Sequence, residues 1–352
     1  MNLIRAASTV GGFTLVSRVA GFARDVLMAR YLGAGLAADA FLVAFRLPNL
    51  FRSLFAEGAF SAAYVPMAAE RLEQPDGRTR ARHFTEQALA FLLPVLMGFT
   101  ALMMVLAGPI VWLMTGGFRD APPEKLLLTI ELTRLTFPYL LLISLTALFG
   151  GLLNAVGRFA ANAAAPILLN LSLIAALLLG RETAMLTARD LAVAVSVAGM
   201  LQFAWLFLAT WREGLAPRLV WPRLTPEIRT LLRRIGPAAV GAGATQLNLL
   251  VSTVIAARLL PQGSVSYLYY ADRLVQLPLG MIGVGVGVAL LPALARLLGS
   301  GEAMAARHQQ NRAIEFALFL ALPAATALVV AALPIVTALF QDGPGGDLKI
   351  FV

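Results

Sequence analysis

The sequence predicts an all-α polytopic membrane protein: two pseudo-symmetric helical bundles around a central cavity, the second bundle incomplete. Three observations predict it. Of 352 residues, 59% are hydrophobic and 13% charged, with a mean hydropathy of +0.79; soluble chains run about 45–50% apolar and about 25% charged. Apolar stretches long enough to span a bilayer recur along the whole chain. Several sequence strings then repeat in the same order at a nearly constant offset. A water-soluble enzyme could not bury so much apolar surface, and a disordered chain would not carry it. With no cysteine and two histidines, thiol catalysis, disulfides and ordinary zinc sites fall away.

A helix needs about 20 apolar residues to cross a bilayer. Spans are predicted at 8–32, 37–68, 88–114, 126–153, 161–180, 187–210, 236–260, 274–298 and 313–340. The first contains Arg18, Arg24, Asp25 and Arg30, and the second Asp39, Arg46, Arg52 and Glu57. The Ser17-Arg18 and Arg24-Asp25 pairs interrupt any leader-like apolar run, so no cleavable signal peptide is expected. With the N-terminus in the cytoplasm, the inner loops hold Arg5, Arg71, Arg78, Arg80, Arg82, Arg158, Arg212, Arg218, Arg223, Arg229, Arg233, Arg234, Arg296, Arg307 and Arg312. The outer loops hold only Arg119, Lys125, Arg181, Arg189 and Arg258. This asymmetry places the N-terminus inside. It also accounts for most of the +9 net charge without a nucleic-acid partner.

The repeat sets the domain organisation. Ala44-Phe45-Arg46-Leu47 matches Ala271-Asp272-Arg273-Leu274, and Tyr64-Val65-Pro66-Met67-Ala68 matches Leu291-Pro292-Ala293-Leu294-Ala295. Arg82-His83 and Pro109-Ile110-Val111 recur as Arg307-His308 and Pro334-Ile335-Val336. Two parallel repeats of six helices fit, as in many transporters. Residues 1–215 are predicted to form the first six-helix bundle, and 216–352 three helices of a second, beginning at the Arg- and Pro-rich linker 212–234. The chain's end falls opposite the loop after the third helix of the first repeat, so the chain is expected to be C-terminally truncated.

A charge at mid-bilayer costs about 2.5–3.5 kcal/mol on insertion scales unless it faces protein or water. Ser17 and Arg24, and Arg18 and Asp25, are spaced by seven and form one polar stripe. Asp39, Arg46 and Ser53 recur at the same spacing, with Asn49 and Arg52 alongside. Asp272, Arg273 and Gln276 make a third group, expected near the membrane edge. Such arginines either snorkel and pair structurally or converge on a cavity. The snorkelling reading weighs most for Arg30, for Arg46, and for Arg134 with Glu131. Convergence of Arg18, Arg24, Arg52 and Arg273 would suit an anionic substrate, because guanidinium forks match phosphate oxygens in pairs.

Other features have plainer readings. Gly283-Val284-Gly285-Val286-Gly287 sits inside a span, where small residues pack helices closely. His83 and His308 are interfacial, and Trp112, Trp205, Trp211 and Trp221 anchor span ends.

The strings Ser17-Arg18-Val19-Ala20-Gly21-Phe22-Ala23-Arg24-Asp25 and Ala38-Asp39-Ala40-Phe41 resemble the MurJ (MviN) family of bacterial lipid II flippases, in the multidrug/oligosaccharidyl-lipid/polysaccharide exporter superfamily. So do Arg46-Leu47-Pro48-Asn49-Leu50-Phe51-Arg52, Phe55-Ala56-Glu57-Gly58-Ala59-Phe60, Gly263-Ser264-Val265-Ser266 and Tyr269-Tyr270-Ala271-Asp272-Arg273-Leu274. The resemblance implies two six-helix lobes, usually followed by two further helices. It implies that Arg18, Arg24, Arg52 and Arg273 engage the pyrophosphate of the lipid-linked disaccharide-pentapeptide. It assigns Ser17, Asp25, Asp39, Asn49 and Ser266 to transport or gating, and adds Asp272 and Gln276 to that polar set. Gln276 stands where some members carry Glu. The helices supplying the lipid-tail groove and part of a coupling-cation site would lie beyond this chain. No resident cofactor or metal is expected.

The function expected is a non-hydrolytic lipid II flippase of the bacterial inner membrane, working as a monomer among membrane lipids by alternating access. The nearest alternative is an exporter of another polyprenyl-linked saccharide, or a multidrug exporter, of the same superfamily. An enzyme of polyprenyl-phosphate metabolism would need clustered nucleophiles or metal-binding carboxylates, which these spans do not show. An inactive fragment or a scaffold of the cell-wall machinery would leave a cationic cavity without purpose.

Overall fold

The computed structural model describes the backbone at 3–53, 59–118, 121–179 and 182–341, and within those ranges all side chains except 3–8, 240, 242–245, 277, 281–289, 291, 292 and 341. Phe55-Ala56-Glu57-Gly58, Arg119, Arg181, the side chains of the Gly283–Gly287 run and of Leu291-Pro292, Arg5's side chain and the end of the chain therefore lie outside the described residues.

Thirteen α-helices follow in order among the described residues: α1 (Leu3–Leu32), α2 (Leu36–Phe51), α3 (Ala59–Leu72), α4 (Gly77–Val105), α5 (Ala107–Thr115), α6 (Pro123–Thr136) and α7 (Pro138–Ala155). Then come α8 (Phe159–Leu178), α9 (Ala184–Arg212), α10 (Pro226–Leu259), α11 (Ser264–Gly299), α12 (Ala303–Val330) and α13 (Ala332–Val336), with a π turn at Thr337–Gln341. Five stretches are long and apolar enough to cross a membrane by composition: Gly77–Val105, Pro123–Ala155, Phe159–Leu178, Ala184–Arg212 and Ala303–Val330. Helices α1, α10 and α11 have the length, at 30, 34 and 36 residues.

Local chemistry explains the boundaries. Thr183 and Thr225 cap α9 and α10 by accepting the N–H groups of Leu186 and Ile228, and Pro226 opens α10 where its missing N–H costs nothing. Gly116, at φ +60, terminates α5 in the left-handed region. The predicted span 126–153 is two helices meeting at Phe137-Pro138. The predicted span 88–114 starts eleven residues earlier and breaks at Leu106. Likewise α10 and α11 start ten residues before their predicted spans, and α12 also starts ten earlier. Hydropathy registers only the apolar portion of a helix, whereas the hydrogen-bonded ladder runs on into its charged ends.

The repeat is visible in the helices themselves. Leu32 and Leu259 end α1 and α10, 227 residues apart; Val105 and Val330 end α4 and α12, and Ala107 and Ala332 begin α5 and α13, each 225 apart. The pair α2 and α3 corresponds to the single helix α11.

In the first lobe α1 packs on α8, α8 on α9, and α9 on α7 and α6; α2 lies on α6, and α3 fits between α4 and α7. Small residues permit close approach: a Cβ at Gly151 would collide with the Tyr64 ring across the α3–α7 contact. Helix α10 lies along α3 and reaches α2 and α5, while α11 meets α2 and α1. Leu215, Ile228 and Leu231 are buried in the same apolar cluster as Phe60, Tyr64 and Phe84, so the first turns of α10 pack into the first lobe. Helix α12 packs along α11, and Ala306 is its one buried residue.

Candidate functional site

Between the lobes lies a cavity of about 470 Å³, lined from α1, α2, α8, α9, α10 and α11. Arg24, Arg46, Arg52 and Arg273 all line it, together with Asn49, Tyr269, Asp272 and Gln276. Phe41, Phe45, Leu169, Leu173 and Leu268 complete the wall with apolar surface. Four guanidinium groups and one carboxylate therefore face a mostly apolar chamber.

Asp25 organises the wall without lining it. Only 1% exposed, it accepts Arg24 Nη2 at 2.6 Å and Nε at 2.9 Å, and the Tyr269 hydroxyl at 2.8 Å. Arg273 Nε stands 2.8 Å from Asp25 Oδ2, but its N–H is not directed at that oxygen, so the contact is an ion pair rather than a hydrogen bond. Tyr269 in turn accepts from Arg24 and from Arg273, both at 3.2 Å. Arg24 Nη1 reaches Asn170 Oδ1 at 3.0 Å, and the Asn170 amide donates to the Ser17 carbonyl at 2.9 Å. One buried carboxylate thus holds two arginines, from α1 and α11, in a fixed orientation. The shared carboxylate and the Tyr269 hydroxyl offset part of the cost of desolvating those charges.

The other cavity arginines also make hydrogen bonds to neutral groups. Arg52 Nε donates to Asn49 Oδ1 at 3.0 Å, and Arg46 Nη2 to the Leu249 carbonyl on α10 at 2.7 Å. Arg273 also donates to Gln276 Oε1 at 2.9 Å, and the Gln276 amide donates to Asp272.

A second polar centre lies beside the chamber, at a small pocket that shares Ala256 and Val265 with it. Asp39, 1% exposed, accepts Lys125 Nζ at 2.8 Å, the Gly263 N–H at 2.7 Å, and both the N–H and hydroxyl of Ser266 at 2.9 and 2.6 Å. It caps the N-terminus of α11 from another helix. A carboxylate there satisfies N–H groups that the helix leaves unpaired. Ser266 lies about 10 Å along α11 from Arg273, at 1.5 Å per residue.

Not every expected site residue is in this arrangement. Arg18 lies outside the chamber, exposed on α1, and lines a separate pocket of about 270 Å³ with Ser17, Asn154 and Asn162. It shares a face with Asp25 but sits two turns away, about 10 Å, and its guanidinium fills space that a Cβ on Gly280 of α11 would need. Helix α11 begins at Ser264, so Asp272, Arg273 and Gln276 stand two to three turns into it. Glu131 pairs with Arg189 at 2.8 Å rather than with Arg134, which donates to the Met104 carbonyl. Arg46 reaches the chamber instead of snorkelling. Lys125, counted among loop charges, is 2% exposed.

Three participants were not assigned to the site from the sequence: Tyr269, Asn170 and Lys125. A signal existed for Asn170, which with Asn162 supplies the amides of an otherwise apolar span. Lys125 and Tyr269 find their partners only through helix packing.

Residues 28–349 match the model of the lipid II flippase MurJ family. The chain belongs to that family. A MurJ-family protein from Rhizobium tropici, named "Probable lipid II flippase MurJ", is 46% identical over 97% of this chain and 64% of its own length. The lipid II flippase MurJ of Burkholderia cenocepacia is 37% identical over 97% of this chain and 67% of its own length. This chain thus spans a little under two thirds of the Rhizobium relative. Among solved structures, a lipid II flippase MurJ in an inward closed conformation superposes with a TM-score of 0.80 at 23% identity, covering 97% of this chain and 70% of its own. An inward-facing multidrug transporter of the MATE family superposes at 0.71 and 14% identity, covering 98% of this chain and 78% of its own. At those identities the likeness is one of fold. MurJ relatives and apolar helices together make this a multi-pass protein of the bacterial inner membrane.

Proposed function

We propose that this chain flips lipid II, the undecaprenyl-pyrophosphate-linked peptidoglycan precursor, across the inner membrane for cell-wall synthesis, and is not an enzyme. The observation that carries this reading is the convergence of Arg24, Arg46, Arg52 and Arg273 on one chamber between two repeats. A pyrophosphate offers the paired oxygens that guanidinium forks engage. Asp25 fixes two of those forks in advance, so less ordering entropy is lost when the substrate arrives.

The N-terminus is cytoplasmic in this reading, and the lobes, 1–215 and 216–352, rock about the chamber as a monomer. The Asp39 centre holds the outer end shut while the headgroup enters from the cytoplasm. Membrane potential, worth about 2.3 kcal/mol per unit charge per 100 mV, supplies a driving force on an arginine-lined cavity. A multidrug-cation exporter would need an acidic cavity, opposite in sign to this one.

The test is complementation of a strain depleted of its lipid II flippase, using this chain and a version extended to the length of its relatives. Rescue that is lost with Arg273→Ala, at unchanged membrane levels, supports the reading. Rescue that survives neutralisation of Arg24 and Arg273 together overturns it.

A further inference from the structure

The segment joining α9 to α10 is built to present an apolar face. Leu215 is buried at its start and Ile228 just beyond its end. Between these anchors, the Arg218 N–H donates to Glu86 Oε1 and the Thr225 hydroxyl to Gln87 Oε1, both at 3.0 Å. Pro217 and Pro222 keep the segment out of helical geometry. Its side chains nevertheless point away from the protein: Leu219 is 73% exposed, and Trp221, at 81%, is more exposed than any other large hydrophobic side chain described. In an extended segment residues two apart share a face, so these two project together.

The depth of this face follows from its tethers. On α4, Arg78, Arg80, Arg82 and His83 precede Glu86, and no charged residue occurs from Ala88 to Val105. The membrane surface therefore crosses α4 at about Glu86 and Gln87, the two residues that hold the segment. At that level Leu219 and Trp221 meet the boundary between headgroups and acyl chains, where tryptophan is favoured. The charge around them is one-sided: Arg212, Arg218, Arg223, Arg229, Arg233 and Arg234 against Glu213 and Glu227.

We propose that residues 218–224 are a membrane-surface anchor, with Leu219 and Trp221 inserted at the headgroup–acyl boundary and Arg218 and Arg223 engaging the phosphates of anionic phospholipids. Each basic residue near such a surface adds attraction, and the aromatic and aliphatic side chains add buried apolar area. The connection between the lobes is then held on the leaflet at its midpoint. The inference rests on the membrane-spanning fold and not on the identity of the transported molecule.

The experiment uses the full chain with W112F, W205F and W211F, leaving Trp221 as the sole tryptophan, in nanodiscs of phosphatidylglycerol or phosphatidylcholine. The expected result is blue-shifted emission and loss of fluorescence with lipids brominated near the headgroup end of the acyl chain, and much less with bromines near the bilayer centre. Quenching should be stronger in phosphatidylglycerol, and R218Q with R223Q should remove that preference. Where the triple variant does not fold, Leu219→Cys in the otherwise cysteine-free chain carries an environment-sensitive dye to the same readout. Water-like emission without bromine quenching in both lipids overturns the anchor and leaves the face to a protein partner. Equal quenching in both lipids overturns the assignment to anionic headgroups.

Discussion

Asp39 Oδ1 accepts the Ser266 hydroxyl at 2.6 Å across a sequence separation of 227, the same separation that relates the ends of α1 and α10. Equivalent positions of the two repeats thus touch one another, which places this contact at the pseudo-symmetry axis. Asp39 also caps α11 and pairs with Lys125, so one side chain ties α2, α6 and α11 together.

Lys125→Met leaves that carboxylate buried without its cation and should cost about 3–5 kcal/mol, the range for breaking a buried pair from one side. Asp39→Asn combined with Lys125→Met should recover part of the loss. Thermal unfolding in nanodiscs across the four-protein cycle reads this directly. Additive effects would mean that the pair is not coupled.

In a version extended to the length of its relatives, Arg24→Ala, Arg52→Ala and Arg273→Ala should each abolish the proposed lipid II flipping with membrane levels largely intact. Arg46→Ala joins them, because it lines the same chamber. Lysine replacements should recover activity only partly, since a point charge cannot reproduce the fork. Arg18→Ala and Arg30→Ala, outside the chamber, should retain much more. Fluorescent lipid II translocation in proteoliposomes, normalised to protein content, separates the two groups.

Tyr269→Phe removes the hydroxyl shared by Arg24, Asp25 and Arg273 while keeping the ring. Leaving those buried charges short of a partner should cost about 1–3 kcal/mol. Weakened pyrophosphate protection of the chamber arginines from a guanidinium-directed reagent, relative to the parent protein, is the expected readout. Parent-like protection would remove Tyr269 from the site.

Orientation is tested by cysteine accessibility, and the background is clean because the chain has no cysteine. Glycines 77 and 117 are poor positions for it. A Cβ at Gly77 would strike the Leu72 carbonyl, and Gly117 has φ +78. Arg80→Cys and Arg223→Cys should be shielded from an impermeant reagent in intact cells, and Gln262→Cys labelled. The reverse pattern would put the N-terminus outside.

Composition and periodicity revealed the helical class and the repeat, because a bilayer imposes length and hydrophobicity on each span. The intramembrane charges on α1 and α2 pointed to a cavity for the same reason: lipid does not tolerate them. What was not legible was partnership. Arg18 and Arg24 belong to one polar stripe of α1, yet about 9 Å of rise separates the chamber from its exterior. Lys125 reads as a loop charge until α6 is seen to start at Pro123 and to pack against α2. Arg134 found a backbone carbonyl and not the glutamate one turn away, since α9 brings Arg189 to Glu131. Each of these outcomes depends on which helices become neighbours, and that information is distributed over the whole chain.

The burial of Ile228 and Leu231 among Phe60, Tyr64 and Phe84 has a mechanical consequence. A boundary drawn where the chain crosses from one repeat to the next falls in the linker before Pro226, but the first turns of α10 are cemented to α3 and α4. They must travel with the first lobe whenever the second moves. The next place on α10 able to flex is Gly236-Pro237, where proline removes a rung of the hydrogen-bond ladder and nothing packs against the glycine. For lobes that rock as proposed, the pivot is displaced into the helix. The repeat boundary and the bending point are then different residues, and the second repeat lends its opening turns to the first.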